Sequence, residues 1–360
     1  MLKVFLRFDR LRVKYINNKI IRQITRMKLV PTPILEAFQR AYTIDTSLMI
    51  PYAGGQESSE GIVYRFQGQK AGQLLKIMHL GTGNTRKALL HFTSRLKFLS
   101  FLSQEGVPVI QPLPSLKGDL YESIEDQHGL WVAYAMHRVT GKPVSPKVWD
   151  PSLVQNWGST IGKLHRVTQT YPAWRYSIDP ETNEHYLTWE SEWQSFNNLC
   201  KEEDIRDLWL DIKVILDSLP IHRDCFGFIH NDPHIWNLRV EGSLITLLDF
   251  DTARHHWFVN DIAIACQYML TMHSGGFYKP VHHREFLVDF LTEFMRGYDQ
   301  ENDFDHCWLQ QLDTFFSYRR ILLYIIMAGW RNSKPDLQRS WREMILNPSV
   351  VLSESDIQSI

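Results

Sequence analysis

Cysteine is scarce in this sequence, which holds four in 360 residues: Cys200, Cys225, Cys266 and Cys307. None of them forms a Cys-x-x-Cys pair or the spacing of a structural zinc site. This cysteine pattern therefore excludes a small secreted domain that disulfides hold together. We expect a reduced, cytoplasmic protein.

The sequence also lacks a long hydrophobic run. The longest strongly apolar stretch, Ile321–Trp330, has ten residues, whereas a bilayer span needs about 20. No uninterrupted apolar block near the N-terminus precedes a small-residue cleavage site. We expect no membrane span and interpret Ile321–Trp330 as part of a buried core helix.

Charge of one sign is not in excess overall, since the net charge is −1, but it is unevenly distributed. Residues 1–26 hold eight Lys/Arg and one acid, residues 27–142 have a balance of +3, and residues 143–360 have −11. The sequence from Met27 resembles the natural start of a protein, so we interpret residues 1–26 as an extension outside the functional fold. A membrane-surface or nucleic-acid arm is the alternative for this segment, although we expect no nucleic-acid partner for the protein.

What is present indicates a folded chain of two domains. Apolar residues make up 44% and charged residues 22%, which is typical of globular proteins. Residues 27–141 contain short alternating segments and one helix, Thr85–Gln104, which Gly106 and Pro108 terminate. Residues 142–360 are mostly helical. The predicted fold class is therefore α+β, and the predicted strands of the first domain are Met49–Tyr52, Ile62–Phe66, Gln73–Met78 and Leu130–Val139.

The segment Phe228–Asp251 carries the most informative pattern. Asp232 is followed five positions later by Asn237, then by two short strands around Glu241-Gly242, and the second strand ends in Asp249-Phe250-Asp251. Kinase catalytic loops have the same Asp-to-Asn spacing, and a metal-binding Asp follows their hairpin. Phosphoryl transfer needs an oriented hydroxyl and neutralised phosphate charge. We predict that Asp232 receives the hydroxyl proton and that Asn237 and Asp249 bind Mg²⁺ through oxygen.

Two features of the first domain fit a phosphate site. Gly54 and Gly55 lie between two predicted strands, where glycine lets backbone amides approach phosphate, although hairpins use such turns routinely. Lys76 lies inside the apolar strand Leu74–Met78. A lysine in that position either reaches solvent or binds a ligand, and the motif downstream favours a ligand.

The chain resembles the aminoglycoside phosphotransferase family, relatives of protein kinases that phosphorylate small molecules. The matching residues are His230-x-Asp232-x-His234-x-x-Asn237, Leu248-Asp249-Phe250-Asp251, Asp261-Ile262-Ala263 and Ile161-Gly162-Lys163-Leu164-His165. The resemblance implies a bilobal protein-kinase-like fold, with a small antiparallel β lobe and a larger helical lobe. It also implies ATP and Mg²⁺ as cofactors and a small-molecule hydroxyl acceptor.

The resemblance further assigns individual residues. It implies Asp232 as catalytic base, Asn237 and Asp249 as magnesium ligands, and Lys76 as the phosphate-binding lysine. The hinge that receives adenine falls at Met136, His137 and Val139.

Three positions depart from the kinase pattern. Asp251 replaces the glycine of Asp-Phe-Gly, as is common in this family, and Pro233 replaces a leucine. The third departure concerns helix Thr85–Gln104, where Arg95 occupies the position of the glutamate that pairs with the lysine. Either Glu57 or Glu60 supplies that partner, or Lys76 is held differently. A catalytically weak, kinase-like nucleotide-binding module is therefore the alternative to an active kinase.

Several other interpretations stay open. His230, Asp232 and His234 also match a transition-metal site, and a protein Ser/Thr kinase would need an activation segment between Asp251 and Asp261. The acidic balance of residues 143–360 favours a cationic, amine-bearing acceptor, while the oligomeric state stays open. Asp261 either caps its helix or braces the catalytic loop. Four tryptophans form core or line the acceptor site: Trp174, Trp189, Trp193 and Trp209.

Overall fold

The computed structural model describes residues 30–43, 49–51, 61–66, 72–145, 150–274, 284–348 and 352–360. The predicted phosphate-loop residues Gly54 and Gly55, and the predicted extension 1–26, lie outside these ranges. The chain divides into two compact units. Residues up to Ala88 and Pro112–Arg138 form the first unit, while Leu89–Gln111 and Val139–Ile360 form the second. The predicted domains were 27–141 and 142–360, which placed Leu89–Gln111 in the first domain instead of the second.

An antiparallel sheet organises the first unit. Its strands follow the order β1-β2-β3-β6-β4, and β5 also pairs with β6. Val63 lies opposite Lys76, which in turn lies opposite Tyr134, so Lys76 occupies the middle of the sheet. The strands are β1 (Met49–Pro51), β2 (Gly61–Phe66), β3 (Gln73–His79), β4 (Pro112–Leu113), β5 (Glu122–Asp126) and β6 (Gly129–His137).

Helix α1 (Thr32–Ala41) covers one face of this sheet. Ile34 and Phe38 form a hydrophobic core with Leu75 and Ile77 of β3. Because side chains alternate along a strand, Lys76 belongs to the opposite face from Leu75 and Ile77. The residue is buried, with 6% of its surface exposed.

Helix α2 has the predicted bounds, Thr85–Gln104. The predicted apolar stripe is largely buried, at Phe92, Leu96, Leu99 and Leu102. Gly106 follows the helix with a φ of 73°, a left-handed conformation that glycine adopts readily at a helix end. The helix and its stop signal are confirmed.

Helices form most of the second unit, and their ends agree with local sequence signals. Asp150 caps α3 by accepting a hydrogen bond from Ser152 N, and Thr188 and Ser191 form a capping box on α4. The helices are α3 (Pro151–Thr168), α4 (Trp189–Asn197), α5 (Glu203–Ser218), α6 (Phe258–Ser274), α7 (Arg284–Tyr298), α8 (Leu312–Ile326), α9 (Ala328–Arg331), α10 (Pro335–Leu346) and α11 (Glu354–Ser359), with 3₁₀ turns at Ile235–Asn237 and His306–Gln311.

Helices α3 and α7 approach closely because glycines lie where they cross. A Cβ atom on Gly158 would lie 1.9 Å from the Phe294 carbonyl oxygen, and one on Gly297 would lie 1.9 Å from the Gln155 oxygen. Gly162, part of the Ile-Gly-Lys-Leu-His motif, meets the Tyr298 carbonyl in the same way at 2.6 Å. The contact therefore needs glycine at these positions, and it places His165 beside α7.

Three small antiparallel sheets interrupt the helices. The predicted hairpin is present, with Leu238 opposite Leu247, Glu241 opposite Leu244, and Gly242 at a φ of 61° in its turn. The strands are β7 (Lys142–Pro143), β8 (Ser177–Ile178), β9 (His185–Tyr186), β10 (Phe226–Ile229), β11 (Leu238–Glu241), β12 (Leu244–Leu247) and β13 (Arg254–Trp257), paired as β12-β11-β7, β10-β13 and β8-β9.

The predicted α+β class, an antiparallel sheet followed by a mainly helical region, is confirmed. The predicted core helix Ile321–Trp330 is buried from Ile321 to Ile325, whereas Ile326 is 51% exposed. Among the helices of the described residues, none is both long and apolar enough to cross a bilayer.

Candidate active site

The candidate catalytic loop begins where β10 ends. All four residues of β10 are buried, and Phe228 pairs with His255 of β13. The chain then turns at Asn231, whose φ is 63°, and Asp249 beyond the hairpin has a φ of 61°. A left-handed conformation costs a non-glycine residue about 1–3 kcal/mol and is concentrated at functional sites. The surrounding hydrogen bonds must therefore hold both turns in place.

Asp261 supplies several of these hydrogen bonds. Its Oδ2 accepts from the backbone N–H of His230 at 3.1 Å, and its Oδ1 accepts from that of Asn231 at 2.8 Å. His165 Nε2 lies 3.2 Å from Oδ2, and both side chains are fully buried. Burial lowers the pKa of His165, although the carboxylate opposes this shift. Asp261 therefore braces the loop rather than capping its own helix, and His165 hydrogen-bonds within the core.

His230 joins the loop to the strand that precedes Asp249. Its Nε2 donates to the Leu248 carbonyl oxygen at 2.8 Å, and its Nδ1 accepts from the backbone N–H of Asp232 at 3.3 Å. The ring packs on Phe250 with centroids 4.4 Å apart. Burial lowers the pKa of His230, so the ring is neutral with its proton on Nε2.

Asp232 lies between two cationic or proton-donating groups. His234 Nε2 is 3.2 Å from its Oδ2, and an Arg319 Nη2 hydrogen bond reaches its Oδ1. Burial by itself raises the pKa of Asp232, but His234 and Arg319 outweigh burial and hold the pKa below its ordinary value. The carboxylate is thus ionised while 20% of the side chain stays exposed.

The hairpin returns the Asp249 end of β12 to Asn237. Leu248 N donates to the Asn237 carbonyl oxygen at 2.8 Å, and Asn237 Nδ2 donates to the Asp232 carbonyl oxygen at 2.9 Å. Because the amide nitrogen is committed to Asp232, Asn237 Oδ1 is the atom left for a ligand. The structure therefore brings Asp232, Asn237 and the Leu248–Asp249 backbone together.

Sequence reasoning missed the groups that support the loop from outside the motif. Glu192 is buried and accepts hydrogen bonds from Asn231 Nδ2 at 3.2 Å and from the Tyr318 hydroxyl at 2.8 Å, and Arg254 Nε lies 3.2 Å from it. Arg319 is the neighbour of Tyr318 on α8. A charged residue inside the apolar stripe of α8 was the available signal, since a buried arginine requires a partner.

The transition-metal interpretation of His230, Asp232 and His234 does not fit their hydrogen bonds. Both nitrogens of His230 are engaged, and His234 Nδ1 accepts from Trp236 N at 3.2 Å while its Nε2 faces Asp232. Across the described ranges, no group of three His, Cys, Asp or Glu side chains is arranged to hold a metal ion.

The protein Ser/Thr kinase interpretation also lacks its required element. Thr252 and Ala253 alone separate Asp251 from β13, which leads directly into α6 at Phe258. This stretch is continuous within the described range 150–274, so no activation segment lies between Asp251 and Asp261.

The remaining predicted site residues belong to other parts of the fold. Met136 is buried in β6, opposite Leu74 and Pro112, whereas His137 is exposed at the strand's end. Val139 is half-buried and lies in the second unit.

Arg95, at the expected glutamate position, bonds within the second unit. Its Nε donates to the Ala253 carbonyl oxygen at 3.2 Å, four residues after Asp249. Both alternative acids for Lys76, Glu57 and Glu60, lie outside the described residues.

Comparison with known proteins agrees with this geometry. Residues 51–304 match the model of the APH phosphotransferase enzyme family. The amicoumacin kinase of Bacillus subtilis (strain 168) is 27% identical over 273 residues, which cover 74% of this chain and 76% of that protein.

Solved structures share the fold. Amicoumacin kinase hAmiN, solved with AMP-PNP, Ca²⁺ and Ami, has a TM-score of 0.78 and 23% identity, with 94% of this chain and 99% of that chain covered. A microcompartment-associated aminopropanol kinase has a TM-score of 0.62 and 17% identity, with 86% and 93% covered. The family match spans more than half of the sequence. The chain therefore belongs to the APH phosphotransferase enzyme family and is an ATP-dependent phosphotransferase of small molecules.

Proposed function

We propose that this protein transfers the γ-phosphate of ATP to a hydroxyl group of a small, amine-bearing molecule. The observation that carries the proposal is the hydrogen-bonded convergence of Asp232, Asn237 and the Leu248–Asp249 backbone. In the proposed reaction, the acceptor oxygen forms a bond to the γ-phosphorus while the bond to the ADP oxygen breaks. The hydroxyl proton passes to Asp232, whose ionised carboxylate orients the acceptor.

Magnesium suits the two proposed oxygen ligands. Asn237 would contribute Oδ1, because its Nδ2 is held by the Asp232 carbonyl, and Asp249 would contribute a carboxylate. Magnesium in kinase sites uses few protein ligands and completes its shell with water and phosphate oxygens. The ion would neutralise phosphate charge during transfer.

We also propose the nucleotide-binding roles that the sequence indicates. Lys76 contacts phosphate, and Met136, His137 and Val139 receive adenine. Gly54 and Gly55 cover the phosphates. The proposal for Lys76 rests on its place in the central strand β3, on the face of the sheet opposite Leu75 and Ile77.

The acceptor class rests on charge and on the relatives. Residues 143–360 have a balance of −11, which favours a cationic ligand. The related aminopropanol kinase is named for a compound that carries both an amine and a hydroxyl group. We therefore propose a hydroxylated amine as the acceptor.

ADP release with a panel of hydroxylated amines, including amicoumacin and aminopropanol, tests the proposal. We expect Mg²⁺-dependent turnover with at least one amine and a loss of about 10²–10⁴-fold in kcat for Asp232→Asn, because the amide cannot receive the proton. The near-isosteric substitution should leave Mg-AMP-PNP binding intact.

The opposite outcome would identify a nucleotide-binding module. A wild-type protein that binds Mg-AMP-PNP but turns over no member of the panel, or equal turnover by wild type and Asp232→Asn, would contradict the proposal.

A further inference from the structure

Arg319 lies outside every motif of the sequence, yet it bonds the candidate catalytic carboxylate. It is 87 residues from Asp232, on α8, and its Nη2 donates to Asp232 Oδ1. The arginine side chain is 9% exposed, compared with 20% for the aspartate. The guanidinium is thus buried rather than at the surface.

Helix α8 presents two consecutive residues to the catalytic loop. Tyr318 donates to Glu192, which accepts from Asn231, while Arg319 donates to the adjacent Asp232. Tyr318 is itself held by stacking on Trp209, with ring centroids 4.8 Å apart. The position of Arg319 is therefore fixed by its own helix and by the neighbouring anchor.

The two oxygens of Asp232 consequently have different environments. Arg319 occupies one side of Oδ1, and His234 Nε2 lies 3.2 Å from Oδ2. Two donors on different oxygens fix the rotation of a carboxylate, which a single hydrogen bond does not do. Burial of the pair strengthens both interactions, because the local dielectric is low.

We propose that Arg319 is the positioning residue of the phosphotransfer site, holding the Asp232 carboxylate in the orientation that receives the acceptor hydroxyl. This inference rests on the proposed function of Asp232. Phosphoryl transfer depends largely on positioning, and a displacement of about 1 Å in such a site costs roughly 100-fold in rate. Arg319 acts through Asp232 and needs no contact with the nucleotide.

The test compares Arg319→Met, Arg319→Lys and the neighbouring control Arg320→Met. Arg320 lies on the same helix, but its Nη1 lies 3.5 Å from the Met344 carbonyl oxygen, away from Asp232. We expect Arg319→Met to lower kcat about 100-fold with KM for ATP changed less than about twofold, because nucleotide contacts persist. Arg319→Lys should recover part of kcat by restoring a cation, and Arg320→Met should keep kcat.

Crystal structures of the Arg319 variants with Mg-AMP-PNP separate this inference from the proposed function. If the wild type turns over no acceptor, the proposed function fails, while rotation of the Asp232 carboxylate in Arg319→Met and its return in Arg319→Lys still support positioning. Wild-type kcat in folded Arg319→Met would overturn the inference. So would an unrotated Asp232 carboxylate in Arg319→Met.

Discussion

Asp261 accepts two backbone hydrogen bonds and faces His165 with one fully buried carboxylate. Each backbone donor belongs to the loop residues that precede Asp232. An unpaired buried N–H costs about 1–3 kcal/mol, and hydrogen bonds to charged groups are stronger than average. The conformation of the loop thus depends on the charge and the two oxygens of this residue.

Asp261→Asn should lower the free energy of unfolding by about 3 kcal/mol, because the amide places an N–H₂ group against a backbone donor and removes the charge. Urea unfolding followed by fluorescence measures the change. Asp305→Asn is the matched control, since Asp305 caps a 3₁₀ turn through Cys307 N at 2.8 Å and asparagine caps equally well. Equal urea midpoints for the two variants would refute the bracing role.

Sequence reasoning worked at this scale where the partners were close along the chain. The hairpin pairs Leu238–Glu241 with Leu244–Leu247, so the hydrogen bond from Leu248 N to the Asn237 carbonyl oxygen follows from local pattern. Arg319 and Glu192 reach the loop from helices far away in sequence. Nothing local to Asp232 encodes those contacts, because they depend on how helices pack.

At the scale of elements, the strand that contains His255 and His256 shows a different limit of prediction from sequence. Both residues lie fully buried in β13. Their polar rings suggested exposure, whereas His255 Nε2 donates to the Ala173 carbonyl oxygen at 2.6 Å. Burial of a polar residue depends on a partner that hydrophobic periodicity does not report. Of the four tryptophans considered in the sequence, Trp189, Trp193 and Trp209 belong to the core, whereas Trp174 is half-buried.

The crossing of α3 and α7 gives a prediction at this scale. Gly158→Ala should lower the free energy of unfolding by about 3 kcal/mol, because its Cβ would lie 1.9 Å from the Phe294 backbone oxygen. Gly329→Ala, in α9 with no atom within 4 Å of the added Cβ, should raise it by about 0.5–1 kcal/mol through helix propensity. Thermal unfolding of both variants shows whether each substitution lowers or raises the free energy of unfolding. A stabilised Gly158→Ala would show that the helices do not approach as described.

At the scale of the whole molecule, the class of fold followed from the order of regions, since a strand-rich first region precedes a mainly helical second region in the sequence as in the structure. The boundaries of the two units could not be predicted from this order. Helix α2 is continuous, yet Leu89–Gln111 belongs to the second unit. His91 and Ser94 meet Tyr186, and Arg95 meets Ala253. These contacts decide the limits, and helical periodicity within α2 does not specify them.

Buried histidines give the second unit a shared response to pH. Burial lowers the pKa of four of them, His165, His230, His255 and His256, and that of His255 falls to about 4. In the unfolded chain histidine titrates near pH 6.5. Between these values the unfolded state therefore binds more protons than the folded state, so stability falls as pH falls.

The free energy of unfolding should decrease from about pH 6.5 towards pH 4, and each such histidine contributes up to about 1.4 kcal/mol per pH unit. Urea unfolding at several pH values gives this slope. His255→Gln keeps a donor for the Ala173 carbonyl but cannot titrate. The free energy of unfolding should therefore depend less steeply on pH, by the contribution of one histidine. His222→Gln, at an exposed position, serves as the control and should keep the wild-type slope. An unchanged slope in His255→Gln would mean that His255 is protonated in the folded protein, which its complete burial opposes.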